Sequence, residues 1–269
     1  MLVAAMVIAP AVGCGAQPPS APPAGAEASR DLAKQLSNPV SDLVSVPFQF
    51  NWDQNVGPSK LTRFVLNVQP VIPFAINPQW NMIVRIIAPL VSQPPLAAGG
   101  APASGIGDIT TSFFFSKPST FIWGAGPVFV LPSTSVPTLG SGKWSGGPTI
   151  VAAKQTGSWT AGALWNQVWS FSGDPARGDV NQMFLQPFVA YQATHTITLN
   201  VQSEMTANWE VDEGRWTVPI SVSVSKLSAF GAFPASYQLG LGGYAVHPDT
   251  GPSWKLRATI TLLLPKARR

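Results

Sequence analysis

Side chains that could catalyse a reaction or bind a metal are few and scattered in this sequence. The two histidines are His195, beside a predicted tight turn, and His247, in a predicted loop at the opposite end of the strands. A zinc site needs three or four clustered Cys, His or acidic ligands, and the sequence has no such cluster. We therefore expect no metal and no cofactor.

One chemical alternative is a membrane-barrel lipid hydrolase. Such an enzyme would need a serine and a histidine paired across neighbouring strands on the outer surface. His195 begins the polar side of its strand close to a turn, and no serine in the pattern pairs with it. We therefore expect no enzymatic activity and keep the hydrolase only as an alternative.

Residues 195–209, HTITLNVQSEMTANW, alternate between apolar and polar side chains almost throughout. Odd-numbered residues from Ile197 to Trp209 are mostly apolar, and even-numbered residues from Thr196 to Asn208 are polar. Successive residues of a strand point to opposite faces of a sheet. The segment exceeds the usual strand of about 5–6 residues, and its polar face carries Glu204. A carboxylate there requires water on that side of the strand.

The composition indicates a membrane surface rather than a soluble one. The 269 residues are 45% hydrophobic and only 10% charged, against roughly 25% charged in ordinary soluble domains. The net charge of +4 is small, and no run of Lys and Arg suggests a nucleic-acid partner. No internal stretch reaches the roughly 18–20 apolar residues of a membrane helix.

The N-terminal residues predict export. Residues 1–16 have the apolar core of a signal peptide. Cys14 in A-V-G-C loosely matches a lipoprotein cleavage site, so lipidation of Cys14 and an ordinary signal peptide both stay open. Residues 17–38 comprise a Pro- and Ala-rich linker followed by a short amphipathic helix, with Ser29 as its N-cap and its end before Pro39.

Residues 39–269 predict about twelve strands joined by alternately long and short links. Tight hairpins on one side and longer loops on the other are typical of outer-membrane barrels. The fold prediction is an all-β, transmembrane, antiparallel up-and-down β-barrel with a short N-terminal helix. The tenth link, LSAFGAFPA at 227–235, departs from the alternation.

Tryptophans cluster near the ends of the predicted strands. Trp favours the two levels at which a bilayer meets water. The predicted membrane-interface aromatics are Trp52, Trp80, Trp123, Trp144, Trp159, Trp169, Trp209, Trp216 and Trp254.

The polar faces of the strands predict a lumen. The residues expected to line a permeation path are Arg63, Asn67, Gln69, Asn81, Arg85, Asp108, Gln182, Gln186, Asn200, Gln202, Glu204, Lys255 and Arg257. Charges of both signs predict no strong ion selectivity. A salt-bridged plug and a narrow channel both fit this set, and inward Phe114, Phe184 and Phe188 suit either an apolar route or a filled interior.

Prolines inside otherwise regular strands are the main local evidence against a barrel. Each removes a donor from the hydrogen-bond ladder, and an unmatched backbone group in lipid costs several kcal/mol. The residues concerned are Pro70, Pro89, Pro127, Pro148, Pro187 and Pro219.

Four segments resemble a known family: NPVSDLVSVPFQFNWD, SGIGDITTSFFFS, FIWGAGPVFVLPS and YQLGLGGYAV. They are similar to outer-membrane transporters linked by name to the phenol meta-degradation pathway, whose bacterial members are often mislabelled "neuromedin U". The resemblance runs from about residue 31 to residue 265. It implies an outer-membrane barrel that passes small, often aromatic compounds. The end of the chain, TLLLPKARR, lacks the terminal aromatic residue common in such barrels.

Together these patterns favour a channel in the outer membrane of a Gram-negative bacterium, through which small apolar or aromatic molecules pass passively. The expected partners are outer-membrane lipid and the permeant; the sequence does not indicate an oligomeric state. We expect the N-terminal helix on the periplasmic side, capping the lumen. Two further alternatives are a closed barrel with a structural or surface-interaction role, and a soluble β-sandwich that binds carbohydrate through its tryptophans.

Overall fold

The computed structural model describes residues 24–117, 119–231 and 233–264. Helix α1 spans Ala24–Leu36, and one turn of 3-10 helix spans Pro137–Leu139. The strand segments are β1 (Val44–Val56), β2 (Leu61–Val68), β3 (Val71–Asn77), β4 (Trp80–Gln93), β5 (Ala103–Ile106), β6 (Ile109–Ser116), β7 (Ile122–Leu131), β8 (Lys143–Thr156), β9 (Trp159–Gly173), β10 (Asn181–Gln192), β11 (Ile197–Gln202), β12 (Met205–Asn208), β13 (Trp216–Phe230), β14 (Phe233–Val246) and β15 (Trp254–Leu264).

These segments form one closed barrel of twelve antiparallel strands. Three strands are briefly interrupted, so that β2 with β3, β5 with β6, and β11 with β12 are each two halves of one barrel strand. Every strand pairs with its neighbours in the chain, and β1 pairs with β15 from Val44↔Leu264 to Gln54↔Trp254. This last pairing closes the sheet and removes its free edges. The predicted up-and-down barrel is confirmed.

The links between strands fall at two ends of the barrel, and most of those at one end are longer than those at the other. One end, which we call the turn end, carries the links 78–79, 117–121, 157–158, 193–196 and 231–232. The other end, which we call the loop end, carries 57–60, 94–102, 132–142, 174–180, 209–215 and 247–253.

The expectation that residues 227–235 interrupt this alternation is wrong. Strand β13 continues to Phe230 and β14 starts at Phe233, so nearly all of these residues belong to a long hairpin. Leu227 is buried and lies opposite Ser236, and Gly231 has the positive φ of 59° that a tight turn requires. The Ser- and Ala-rich composition suggests a loop, but the strand pairing persists through it, from Leu227↔Ser236 to Phe230↔Phe233.

The exterior of the barrel is apolar, as the fold prediction requires. Ile220, Val222 and Val224 on β13 point outward and are 54%, 55% and 45% exposed. Their neighbours Ser221 and Ser223 point inward and lie opposite Gly242 and Gly240 of β14. Such a surface would be costly in water, where each Å² of apolar area contributes roughly 25 cal/mol. An apolar exterior of this kind suits contact with the hydrocarbon of a lipid bilayer.

All nine tryptophans of the predicted interface set lie on the outward face of their strands or just beyond a strand end. They fall at two levels: Trp52, Trp144, Trp169, Trp209, Trp216 and Trp254 toward the loop end, and Trp80, Trp123 and Trp159 at the turn end. Two pairs of these rings contact edge to face. The ring centroids are 5.7 Å apart for Trp209 and Trp216, and 6.0 Å apart for Trp80 of β4 and Trp123 of β7, across the end of β6.

The in-strand prolines are accommodated by matched irregularities in neighbouring strands. Pro127 of β7 lies opposite Pro148 of β8, and each follows a glycine. A Cβ atom at Gly126 or Gly147 would lie 2.1 or 2.0 Å from a carbonyl oxygen of the adjacent strand. Glycine therefore lets the backbones approach closely where proline has removed an N–H.

The strand interruptions supply hydrogen-bond donors to proline carbonyls. Ser203, between β11 and β12, donates its N–H to the Pro187 carbonyl at 3.1 Å and its hydroxyl to the Pro219 carbonyl. Gly107, between β5 and β6, donates its N–H to the Pro89 carbonyl at 2.9 Å. The interruptions thus keep these carbonyls satisfied in the barrel wall.

Helix α1 is longer than its predicted version. It begins at Ala24, so Ser29 lies inside the helix and is not its N-cap. Residues 24–28, AGAEA, are mostly good helix formers, and Glu27 in the first turn complements the helix dipole. In the described part of the chain, no helix combines the length and apolarity needed to cross a membrane.

Candidate functional site

The described residues of the barrel line several cavities, and two that adjoin each other in the lumen form the candidate site. The cavity nearer the turn end has a volume of about 290 Å³, and the cavity nearer the loop end about 260 Å³. Gln69, Arg85 and Gln186 line both of them. These three side chains therefore mark the boundary between the two halves of the lumen.

A carboxylate with two cationic partners occupies the loop-end cavity. Glu204 accepts hydrogen bonds from Nη1 and Nη2 of Arg257 at 2.7 and 2.6 Å and from Nζ of Lys255 at 3.0 Å. The side chains of Lys255 and Arg257 are 5% and 9% exposed, and that of Glu204 is 21% exposed. Paired, charge-assisted hydrogen bonds of this kind are strong, and they satisfy charges that would otherwise be costly to bury.

A second ion pair lies beside the first. Asp53 accepts from Nη2 of Arg63 at 2.8 Å and from the hydroxyl of Tyr244 at 2.9 Å. Asn51, two residues earlier on β1, accepts from Nε of Arg257 at 2.7 Å. Nζ of Lys255 lies 5.7 Å from the centre of the Tyr244 ring, and this contact joins the two pairs into one network. The network lies on the charged wall of the lumen, which we define as the inward faces of β1, β2 and β12–β15 together with Glu204, just before β12.

Strand register builds this network. Asn51 lies opposite Arg257, and Asp53 lies opposite both Lys255 and Arg63 on the two neighbouring strands. Directly opposite residues on one face are close enough for their side chains to interact. The register of β1 therefore brings Asp53 to Arg63 of β2, and closure between β1 and β15 brings Asn51 to Arg257.

The opposite side of the lumen is apolar. Ile83, Phe114, Val151 and Leu164 form a buried cluster, against which Val71 and Phe184 pack. We call the inward faces of β3–β10 around this cluster the apolar wall. Sequence reasoning expected inward Phe114, Phe184 and Phe188 but missed the aliphatic residues, because strands such as WNMIVRIIAPLV are apolar on both faces.

The N-terminal segment lies at the turn end of the lumen. The side-chain amide of Gln155 donates to the Lys34 carbonyl at 2.9 Å, and that of Gln192 donates to the Arg30 carbonyl at 3.1 Å. Ala33 is buried, and Val40, in the segment that joins α1 to β1, packs against the apolar cluster. Leu36 and Leu43 also line the turn-end cavity.

Most of the predicted lumen residues line one of the two cavities. Eight line the loop-end cavity: Arg63, Asn67, Gln69, Arg85, Gln186, Glu204, Lys255 and Arg257. Asn200 and Gln202 line the turn-end cavity. Sequence reasoning omitted Asn51, Asp53 and Tyr244 from the set, although the alternation of β1 places Asn51 and Asp53 on its polar face.

The remaining three predicted lumen residues lie away from the two cavities. Asp108 holds the long 132–142 link in place, accepting at Oδ2 from the N–H of Ser141 at 2.6 Å and from its hydroxyl at 2.8 Å. Asn81 lies opposite Ser116 near the turn end, and Gln182 lies opposite Asn208 near the loop end.

The two histidines lie at opposite ends of the barrel. His195 is in the 193–196 link at the turn end, and His247 is in the 247–253 link at the loop end, where its Nδ1 lies 2.8 Å from the Pro248 carbonyl oxygen. Across the described ranges, no group of three or more His, Cys, Asp or Glu side chains could hold a metal ion. Cys14 lies outside the described residues.

Comparison with known proteins supports the fold. No protein-family model and no curated protein matches the sequence. Among solved structures, an outer membrane channel from Pseudomonas putida F1 is similar with a TM-score of 0.64 and 15% identity, over 85% of this chain and 98% of that one. The NanC porin is similar with a TM-score of 0.51 and 8% identity, over 82% of this chain and 99% of that one. This chain therefore has the fold of outer-membrane β-barrels.

Proposed function

We propose that this protein is a channel of the Gram-negative outer membrane through which small molecules pass passively. The observation that supports it best is the arrangement of surfaces: an apolar exterior with tryptophans at two levels surrounds a lumen with two cavities and a charged wall. A soluble sandwich would bury the outward valines of β13, which are exposed here. The solved structures with this fold are described as a channel and a porin, not as enzymes.

The permeants we propose are small molecules with apolar or aromatic parts. Cavities of about 290 and 260 Å³ lie at or just below the lower end of the range for ligand pockets. The apolar wall offers contacts for a ring or a short alkyl chain, and the opposite wall offers hydrogen bonds. The resemblance to transporters linked with phenol degradation fits this class, and the link to that pathway stays a prediction.

Reconstitution tests the channel directly. Liposomes containing the purified protein should swell in isotonic solutions of small solutes such as benzyl alcohol or glycerol, and should not swell in solutions of a large oligosaccharide. Protein that has been boiled before reconstitution supplies the control. The gel mobility of the unboiled protein shows whether the barrel is folded. If the protein is folded and its liposomes swell no faster than protein-free liposomes, passage of these solutes is contradicted.

A closed barrel with a structural or surface role is the second candidate. It is favoured by α1 and by the segment that joins α1 to β1, which contact the wall of the lumen at the turn end. If this segment limits passage, deletion of residues 17–38 should raise single-channel conductance. An unchanged conductance would remove the capping role of the segment.

A smaller perturbation separates capping from other effects of the deletion. The double substitution Gln155→Ala and Gln192→Ala removes both side-chain donors to the helix carbonyls. Like the deletion, it should increase the single-channel conductance. Gln79→Ala, in an exposed turn at the same end of the barrel, is the matched control and should leave conductance unchanged.

A further inference from the structure

The charges that face the two cavities do not balance. The cations are Arg63, Arg85, Lys255 and Arg257, and the anions are Asp53 and Glu204. Arg63 is matched by Asp53, while Glu204 serves both Lys255 and Arg257. The sequence expectation of no strong ion selectivity noted that charges of both signs face the lumen but did not weigh their numbers. Four cations against two anions leave these two cavities with an excess of positive charge.

Arg85 differs from the other three cations. Its Nη2 donates to the amide oxygen of Gln69 at 2.8 Å, which is a neutral partner. Among the described residues, no carboxylate lies within 4 Å of Arg85, whereas each of the other three has one. A guanidinium has five N–H donors in a planar fork that matches a carboxylate. Most of the N–H donors of Arg85 therefore remain available to a ligand.

The position of Arg85 is equally specific. It is the only charged side chain among the residues that line the turn-end cavity, and it also lines the loop-end cavity. It lies opposite Val71 on β3 and Ser112 on β6, in the strand that also carries Ile83 of the apolar cluster. Phe114, Leu164 and Phe188 line the same turn-end cavity. A cation with spare donors therefore lies next to an apolar, aromatic surface.

We infer that Arg85 is the recognition point for small monocarboxylates that carry an apolar or aromatic body. The guanidinium binds the carboxylate through paired N–H donors, and the body of the ligand packs against Phe114, Leu164 and Phe188. An anion at this point compensates a charge that is only partly exposed to water. This inference rests on the proposed function, because it names the class of permeant that the channel prefers.

Benzoate and benzamide form a matched pair of probes, since they share the ring and differ in the anionic group. Binding to the detergent-purified full chain is measured by calorimetry at pH 7. Benzoate should bind at least about tenfold more tightly than benzamide, and Arg85→Gln should weaken benzoate binding by about ten- to hundredfold. Arg85→Lys should keep part of the preference, because it retains the charge without the planar fork.

Ion permeation supplies an independent readout. In planar bilayers with a KCl gradient, the reversal potential should show that chloride passes more readily than potassium, and Arg85→Gln should move it toward zero. The matched control is Lys226→Gln, which removes one positive charge from an exposed, outward position near the turn end. It should leave the reversal potential unchanged.

The outcomes separate the inference from the proposed function. Equal binding of benzoate and benzamide, or a reversal potential that Arg85→Gln does not move, would overturn the role of Arg85 even if solutes pass. Benzoate binding that depends on Arg85 without any flux would support the recognition point and contradict the channel. If the Arg85→Gln protein does not show the gel mobility of the folded barrel, Arg85→Met takes its place in both assays. This substitution keeps most of the length of the side chain and removes its charge.

Discussion

Glu204 is the residue whose removal should most destabilise the lumen. Its carboxylate is the common partner of Lys255 and Arg257, both of which are less than one tenth exposed. Glu204→Gln keeps the shape of the side chain but leaves two buried cations without a compensating charge. Breaking a buried ion pair in this way costs about 3–5 kcal/mol of unfolding free energy. Because Glu204 itself is 21% exposed and lines a cavity, we expect a value near the lower end.

The measurement is urea unfolding of the protein in lipid vesicles, followed by tryptophan fluorescence and by gel mobility without boiling. Asp212→Asn, in an exposed loop, is the control and should change the free energy of unfolding by less than about 0.5 kcal/mol. In the double variant Glu204→Gln with Arg257→Gln, one of the stranded cations is gone. Its loss of stability should fall short of the sum of the two single losses, with a coupling of about 0.5–3 kcal/mol.

Two results would refute this reasoning. If Glu204→Gln is as stable as the Asp212→Asn control, water in the lumen screens the cations and the network contributes little. If the losses of the two single variants add, Glu204 and Arg257 act independently, and the short contacts between them do not describe an energetic unit.

Three further predictions concern the wall and the loops. Val222→Arg puts a charge on the lipid-facing side of β13 and should lower the free energy of unfolding in vesicles by about 2–4 kcal/mol. Asn200→Arg, on the lumen side of the adjacent strand, should lower it much less. Equal losses for the two variants would contradict the assignment of the two faces. Gly126→Ala, whose Cβ would lie 2.1 Å from a carbonyl oxygen, should cost about 1–3 kcal/mol, and Gly243→Ala, with open space around it, should be neutral in the same assay. Hydrogen bonding to Lys143 lowers the pKa of the Asp179 carboxyl in the loop-end link, so any contribution to stability is present above the ordinary Asp pKa and is lost as the pH falls through the lowered value. An NMR titration should place the Asp179 midpoint below the ordinary Asp value of about 3.9, and Lys143→Gln should raise it.

The sequence by itself determined the class of fold, the number of strands and, where a strand alternates between polar and apolar residues, the side that faces lipid. This succeeds because the side-chain period of a strand is two, so the pattern on β13 or at 195–209 leaves only one face able to contact hydrocarbon. The alternating links then imply a meander, which is why a twelve-stranded barrel follows from local patterns alone. The hairpin at 227–235 was missed because the small residues there are typical of a loop, although the two strands pair through them.

Only the tertiary structure decided how the inward residues combine. Which carboxylate meets which cation depends on register and on packing across the lumen: Asp53 meets Arg63 of the neighbouring strand, and Glu204 meets Lys255 and Arg257. Closure between β1 and β15 brings Asn51 beside Arg257, 206 positions away in the chain. The apolar wall was hidden because β4 is apolar on both faces, so no period distinguishes inside from outside. Pairing with the two neighbouring strands also placed Ser203 against the carbonyls of Pro187 and Pro219, and thereby satisfied groups that no single-strand pattern explains.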